Sequence, residues 1–260
     1  AAPTSLQRRR WLSSLAAMPL AALGWPRLAS AAACDDTANW IPPDDFLSDL
    51  PRLMQALRVP AIGIAVVERG EVVWARNLGV TNAETRAPVA DDTLFEDASL
   101  SKPVFAYLVL QLADQGVIDL DAPLVRYRRM DYLADHPWVD MVTARDVLRH
   151  STGMPNWRKD PAHEKLVPAA KPGTRIDYSG EAIFWLQLVV EKLTGESLDE
   201  SMQRQLFGPA GMRDSNYTWS KDLAERSVYG HRAVEDEEAG MPPQMLRETW
   251  NAAQTVADRW

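Results

Sequence analysis

The feature that most constrains the fold is an unbroken apolar run, Ala61-Ile62-Gly63-Ile64-Ala65-Val66-Val67, rich in β-branched residues. A polar turn containing glycine, Glu68-Arg69-Gly70-Glu71, follows it. Val72-Val73-Trp74-Ala75 comes next, and residues 77–79 close the pattern. Two such runs around a short glycine turn predict an antiparallel β-hairpin. Because the runs are apolar at consecutive positions, both faces of the hairpin are expected to be buried. After this hairpin the strand pattern stops and helical spacing takes over. The chain is therefore expected to be mixed α and β, an antiparallel sheet packed against helices with a helical subdomain.

The first long helix is predicted over 99–115. Leu100, Val104, Leu108 and Leu112 recur at helical spacing on one face. Pro103 fits only in the first turn of a helix, which places the start just before it. Gly116 stands where a C-terminal cap belongs. A second long helix is predicted over 180–193, with Ile183, Leu186, Val190 and Leu193 apolar and Gly195 past its end. Shorter helical patterns fall at 46–57, 144–149 and 198–206. The acidic run 235–238 reads as a solvated loop.

The 260 residues carry 28 Lys plus Arg against 36 Asp plus Glu, a net charge of −8. That balance argues against nucleic acid as a partner, which calls for a basic footprint. One cysteine rules out an internal disulfide framework and a Cys-rich zinc site. The first segment differs from the rest. Residues 1–33 hold Arg8, Arg9, Arg10 and Arg27 and no acid. An interrupted apolar run over 11–23 leads to Ala29-Ser30-Ala31-Ala32-Ala33. A basic start, a short apolar stretch and a small-residue cleavage site predict an export signal. Arg8-Arg9-Arg10-Trp11-Leu12 resembles a twin-arginine signal. The expectation is a protein exported to the periplasm or beyond, with residues 34–260 as its working domain. Its contact with a membrane is then limited to transit. Cys34 stands where a lipid-anchored cysteine would, but Ala31-Ala32-Ala33 lacks the leucine usual before such a site; the plainer expectation is a lone thiol.

Ser99-Leu100-Ser101-Lys102 forms an S-x-x-K tetrad at the start of the predicted helix. Lys102 then lies one turn along on the same face as Ser99. A nucleophilic serine needs a nearby base and a positive field for the developing oxyanion, and a helix N-terminus supplies part of that field. Taken alone, the tetrad is a weak signal and reads first as an ordinary N-capping serine with a surface lysine.

Several ordered blocks resemble the serine β-lactamase and DD-peptidase superfamily, in the branch with class C β-lactamases, D-stereospecific peptidases and β-lactamase-like esterases. Residues 98–103, ASLSKP, resemble its first motif. Residues 111–123, QLADQGVIDLDAP, and 143–157, TARDVLRHSTGMPNW, resemble the segments that follow. Residues 171–179, KPGTRIDYS, resemble the approach to its second motif, a Tyr-x-Asn. Residues 193–214 and 251–258 resemble later blocks, so family order is kept over roughly 45–260. The resemblance implies that Ser99 attacks a carbonyl and forms an acyl-enzyme. It implies that Lys102 holds the proton network of the serine, and that Tyr178 is the general base that later activates water. A tyrosine of ordinary pKa near 10 needs a cation such as Lys102 beside it for that task. Ser99 is expected at the floor of a cleft between the sheet and the helical region. The implied substrate is a small molecule or a peptide-like chain, and neither metal nor organic cofactor is required.

Two departures from the family pattern matter. Gly180 stands where the second motif has Asn, a substrate-binding position whose side chain holds the substrate amide and orients the lysine. Glu181 is the neighbouring polar side chain to which any compensating role would fall. This points to an ester or peptide-like amide rather than a β-lactam. The family's third motif, Lys-Thr-Gly or His-x-Gly on a late strand, does not follow Tyr178: His231 is followed by Arg232-Ala233. The C-terminal strands are therefore expected to lie outside this chain. The alternative to a hydrolase is a cell-envelope binding or sensing module that acylates once or not at all. Other motifs fail on context. Tyr217 to Lys221 matches a dehydrogenase Y-x-x-x-K without a dinucleotide loop, and Gly195-Glu196-Ser197-Leu198-Asp199 lacks the second glycine of a nucleophile elbow. The tryptophans form no stripe; most are expected in the core or in a cleft wall, and none carries an assigned role.

Overall fold

The computed structural model describes residues 41–233 and 245–247. The expected export signal, Cys34, the acidic run 235–238 and the block 251–258 lie outside the described residues. The fold is mixed, with an antiparallel sheet and several helices. Helix α1 (Asp44–Leu57) ends at Arg58, whose φ of 58° turns the chain out of the helix. Strands β1 (Ala61–Glu68) and β2 (Glu71–Gly79) follow and pair antiparallel, from Ala61 opposite Gly79 to Glu68 opposite Glu71. Arg69 and Gly70 between them both have positive φ, 52° and 86°, which matches the right-handed twist of the flanking strands.

The expected burial of both hairpin faces is not found. Ile62, Ile64 and Val66 are half-buried, whereas Gly63, Ala65 and Val67 on the other face are exposed. Val67 and Val72 keep 61% and 62% of their surface in solvent. Apolar composition says only that either face could be covered, and which one is covered depends on what packs there.

A 3₁₀ turn, Ala98–Leu100, runs straight into α2 (Ser101–Asp114), with Pro103 inside the first turn. Phe105, Leu108, Val109 and Leu112 are buried at i, i+3, i+4 and i+7. Leu100, expected on that stripe, is 71% exposed. The tighter turn it occupies rotates it off the face. Gly116 (φ 74°) ends the helix, its N–H on Ala113 O and that of Val117 on Leu112 O.

Helix α3 (Ala144–Leu148) opens with a capping box between Thr143 and Asp146. Helix α4 (Gly180–Thr194) is capped by the Ser179 hydroxyl and closed by Gly195 at φ 72°. Helix α5 (Leu198–Met202), a π turn (Gln203–Phe207) and α6 (Lys221–Arg226) complete the helical part. The hydrophobic core is drawn from this part: Leu108, Val109, Val147, Trp185, Leu186, Val189 and Met202 are all fully buried and share one cluster. Each such side chain contributes about 1.5–3 kcal/mol of burial free energy. Trp185 also donates its indole N–H to Arg128 O at 2.9 Å, so the largest core side chain leaves no polar atom unpaired.

A second ladder pairs β3 (His231–Ala233) with β4 (Met245–Arg247). The sequence held no sign of it, because three-residue strands are too short to show a period. Main-chain bonds tie the segment before it to the loop after the hairpin, Val228 N–H to Leu94 O and Tyr229 N–H to Thr81 O, both 2.9 Å.

Candidate active site

The turn at Ala98 sets the geometry of the site. Ala98 has φ 43°, a left-handed conformation that costs a non-glycine residue on the order of 1–3 kcal/mol. Side chains hold it there. Ser101 Oγ donates to Ala98 O at 2.6 Å, and Tyr217 OH donates to Ser101 O at 2.7 Å. Burial pushes the Tyr217 pKa up to about 12, so it remains a neutral donor. Tyr217, part of a motif that fails as a dehydrogenase signature, thus braces the turn that presents Ser99.

Three sequence-predicted residues meet at one oxygen. Lys102 Nζ donates to Ser99 Oγ at 3.0 Å, and Tyr178 OH lies 2.9 Å from the same Oγ. Lys102 Nζ is also 5.2 Å from the centre of the Tyr178 ring. Ser99 and Lys102 are one helical turn apart, but Tyr178 arrives from 79 residues away. It is held by the 150–156 loop: Asp177 N–H donates to His150 O at 2.7 Å, and Ser179 Oγ donates to Pro155 O at 2.8 Å. The His150 ring lies against that of Tyr178, centroids 4.4 Å apart.

Burial pushes the Tyr178 pKa up, but hydrogen bonding by Lys102 and Ser99 and the charge of Lys102 outweigh it, so the phenol sits below its ordinary value. His150 is held below its ordinary value by burial first and by the Lys102 charge second. Its Nδ1 accepts the Ser179 N–H at 3.3 Å, which leaves Nε2 to carry the proton of the neutral ring. A hydroxyl oxygen touching both a cation and a phenol of lowered pKa is the arrangement in which a serine becomes a nucleophile.

Gly180 is placed differently. It is buried, and its N–H donates to Asn156 Oδ1 at 3.0 Å. A Cβ on Gly180 would lie 2.5 Å from both Cη2 and Cζ2 of Trp157, so the indole already fills the space of a side chain there. Glu181 turns away from the site. Its carboxylate receives the main-chain N–H and Nε of Arg158, both at 3.0 Å, and Nη2 at 3.2 Å. The two side chains keep only 3% and 1% of their surface, so Glu181 is in no position to stand in for a missing amide. Asn156 and Trp157 carried no sequence signal beyond their place in the matched block 143–157, and Arg158 lies one residue past it. Their roles depend on what the fold sets beside α4.

Ser99 was expected at a cleft floor. It is instead exposed, with Tyr178 44% exposed and Lys102 half-buried, on an open face among the described residues. A cavity of about 670 Å³ lies behind the turn, lined by Ala98, Ser101, Val104 and Tyr217, and includes none of the three converging residues. Among the described residues no cluster of three or more His, Cys, Asp or Glu side chains converges.

The model of the family described as Beta-lactamase matches residues 48–257. Esterase EstB of Burkholderia gladioli is 30% identical over 220 residues, covering 72% of this chain and 56% of EstB. Penicillin-binding protein 4* of Bacillus subtilis is 25% identical, covering 72% of this chain and 45% of that protein. The chain thus spans about half the length of the curated relatives it matches. Among solved structures, a class C beta-lactamase superposes with a TM-score of 0.63 at 26% identity, over 76% of this chain and 57% of its own. A match over most of the chain, together with the meeting of Ser99, Lys102 and Tyr178, establishes that this chain belongs to the beta-lactamase family, within the serine β-lactamase and DD-peptidase superfamily.

Proposed function

We propose that the protein is a serine hydrolase that works through an acyl-enzyme on Ser99, favours esters or peptide-like amides over β-lactams, and acts outside the cytoplasm. The observation that carries this reading is the pair of contacts at Ser99 Oγ, 3.0 Å from Lys102 Nζ and 2.9 Å from Tyr178 OH. In acylation the Tyr178 phenolate takes the Ser99 proton as Oγ attacks the carbonyl carbon. The tetrahedral oxyanion then collapses. The bond to the leaving group breaks, and Tyr178 returns the proton to the departing oxygen or nitrogen. In the second half a water gives its proton to Tyr178 and adds to the acyl carbon. The bond to Ser99 Oγ breaks, and the serine takes the proton back. Atoms and charge balance, with water consumed and an acid released.

The preference for esters is supported by Gly180 in place of an amide side chain, by the inward turn of Glu181, and by EstB, an esterase by name, as a relative. The test compares kcat/KM for p-nitrophenyl acetate and a chromogenic cephalosporin on the full-length enzyme. The ester should be turned over with the higher efficiency. A higher efficiency for the cephalosporin would overturn the preference.

The pH profile has a definite sign. Tyr178 acts as a base only when deprotonated, so kcat/KM should rise with pH along a limb below the ordinary tyrosine value. Lys102→Met removes the cation that lowers that pKa, so the limb should move to higher pH. A limb that stays in place in this variant would show that Lys102 does not tune Tyr178.

A further inference from the structure

We propose that Trp157, seated on Gly180, is a specificity residue: the apolar wall beside Ser99 and Tyr178 that selects substrates with apolar acyl groups. This inference rests on the hydrolase reading above and names the substrate class for it. The place a side chain at position 180 would fill is taken by the indole, whose Cη2 and Cζ2 stand 2.5 Å from where its Cβ would be and Cε2 3.0 Å. The Gly180 Cα follows that of Tyr178 by two residues, within about 7 Å along the chain. Tyr178 in turn touches Ser99 Oγ. Aromatic hydrocarbon therefore covers the first turn of α4, two residues on from the tyrosine that touches Ser99 Oγ.

The ring is fixed by its neighbours on both sides. Asn156 accepts the N–H of Gly180 on its side chain at 3.0 Å and that of Glu181 on its main chain at 3.1 Å. Arg158 is locked to the buried Glu181 carboxylate by three bonds. Trp157 sits between two residues pinned to the same helical turn, yet it leaves 48% of its surface open. A large aromatic held rigidly and half exposed offers contact area at little entropic cost. The first turn of α4 offers a polar acyl group no spare N–H in exchange. The N–H groups of Gly180 and Glu181 are taken by Asn156, and that of Ala182 by Ser179 Oγ at 3.1 Å. The N-terminus of α4 thus presents an apolar cover with its first donors spent.

The experiment is a chain-length series on the full-length enzyme, p-nitrophenyl acetate against p-nitrophenyl hexanoate, so that the leaving group stays constant. The ratio of kcat/KM, hexanoate over acetate, should fall about tenfold in Trp157→Ala, with most of the loss in KM for hexanoate, and recover in Trp157→Phe. Gly180→Ala is an independent variant. Its Cβ pushes the ring off its seat without shortening it and should lower the same ratio. A ratio unchanged in both Trp157→Ala and Gly180→Ala would overturn the proposal. Labelling with a fluorophosphonate separates this failure from that of the hydrolase reading. A labelled Ser99 with unchanged ratios sinks only the role of Trp157, whereas no label on Ser99 in the unsubstituted enzyme sinks the hydrolase reading beneath it.

Discussion

Ser99→Ala should lower ester kcat/KM by about 10³–10⁶-fold while leaving the fold intact, because removing a nucleophile that acts as a unit with its base removes nearly all of their joint effect. Ser99 is exposed, and the bonds of its side chain are those to Lys102 and Tyr178, so its hydroxyl contributes little to packing. Tyr178→Phe keeps the ring against His150 and loses only the phenol oxygen. It should cost about 10²–10⁴-fold, the usual contribution of a general base. The double variant should be little worse than Ser99→Ala alone, since a base without its nucleophile has nothing to deprotonate. Steady-state kinetics on the three variants, with circular dichroism as the control on folding, gives the answer. A Ser99→Ala enzyme that keeps more than about a tenth of its activity would assign the reaction elsewhere.

The largest expected loss of stability lies at the Arg158–Glu181 pair. Both side chains are almost wholly buried, and Arg158 also donates Nη1 to Glu164 O at 3.0 Å and lies over the Tyr132 ring. Glu181→Leu would strand a guanidinium in the interior, which costs about 3–5 kcal/mol. For a domain of this size that corresponds to a fall of about 6–20 °C in Tm. Arg158→Met combined with Glu181→Leu should recover much of the loss, because a buried pair replaced by apolar side chains no longer leaves a charge unpaired. Thermal melts of the full-length enzyme check both. A Glu181→Leu melt within about 2 °C of the unsubstituted protein would mean that water reaches the pair. The pair also sets the 156–158 segment against α4, so the single variant should lose ester turnover before it unfolds, as Trp157 and the Tyr178 loop lose their anchor.

Local rules made much of this legible in the sequence. The hairpin showed itself by its β-branched runs around Arg69-Gly70, α2 by Pro103 and Gly116, and α4 by its apolar stripe and Gly195. Ser99 and Lys102 could be paired from their spacing, since one helical turn brings them together. Tyr178 could not, being 79 residues away; only the order of the family blocks linked it to the serine. What stayed hidden depends on which surfaces the fold brings together. Glu181 stood out only as the polar neighbour of Gly180, and Arg158 not at all, because nothing local says that they will be buried against each other. Trp157 looked like any other tryptophan until Gly180 was placed beneath it. The uncovered hairpin face failed for the same reason, since an apolar pattern states what can be buried and tertiary partners decide what is, whereas Leu100 was turned off its stripe by the local 3₁₀ geometry.

The central claim, an acyl-enzyme on Ser99, is tested most directly by quenching the full-length enzyme during turnover of a p-nitrophenyl ester and weighing the intact protein and its peptides. One acyl increment is expected on the peptide that contains Ser99, absent in Ser99→Ala. Ester turnover with no increment, or with the acyl group on another residue, would contradict it.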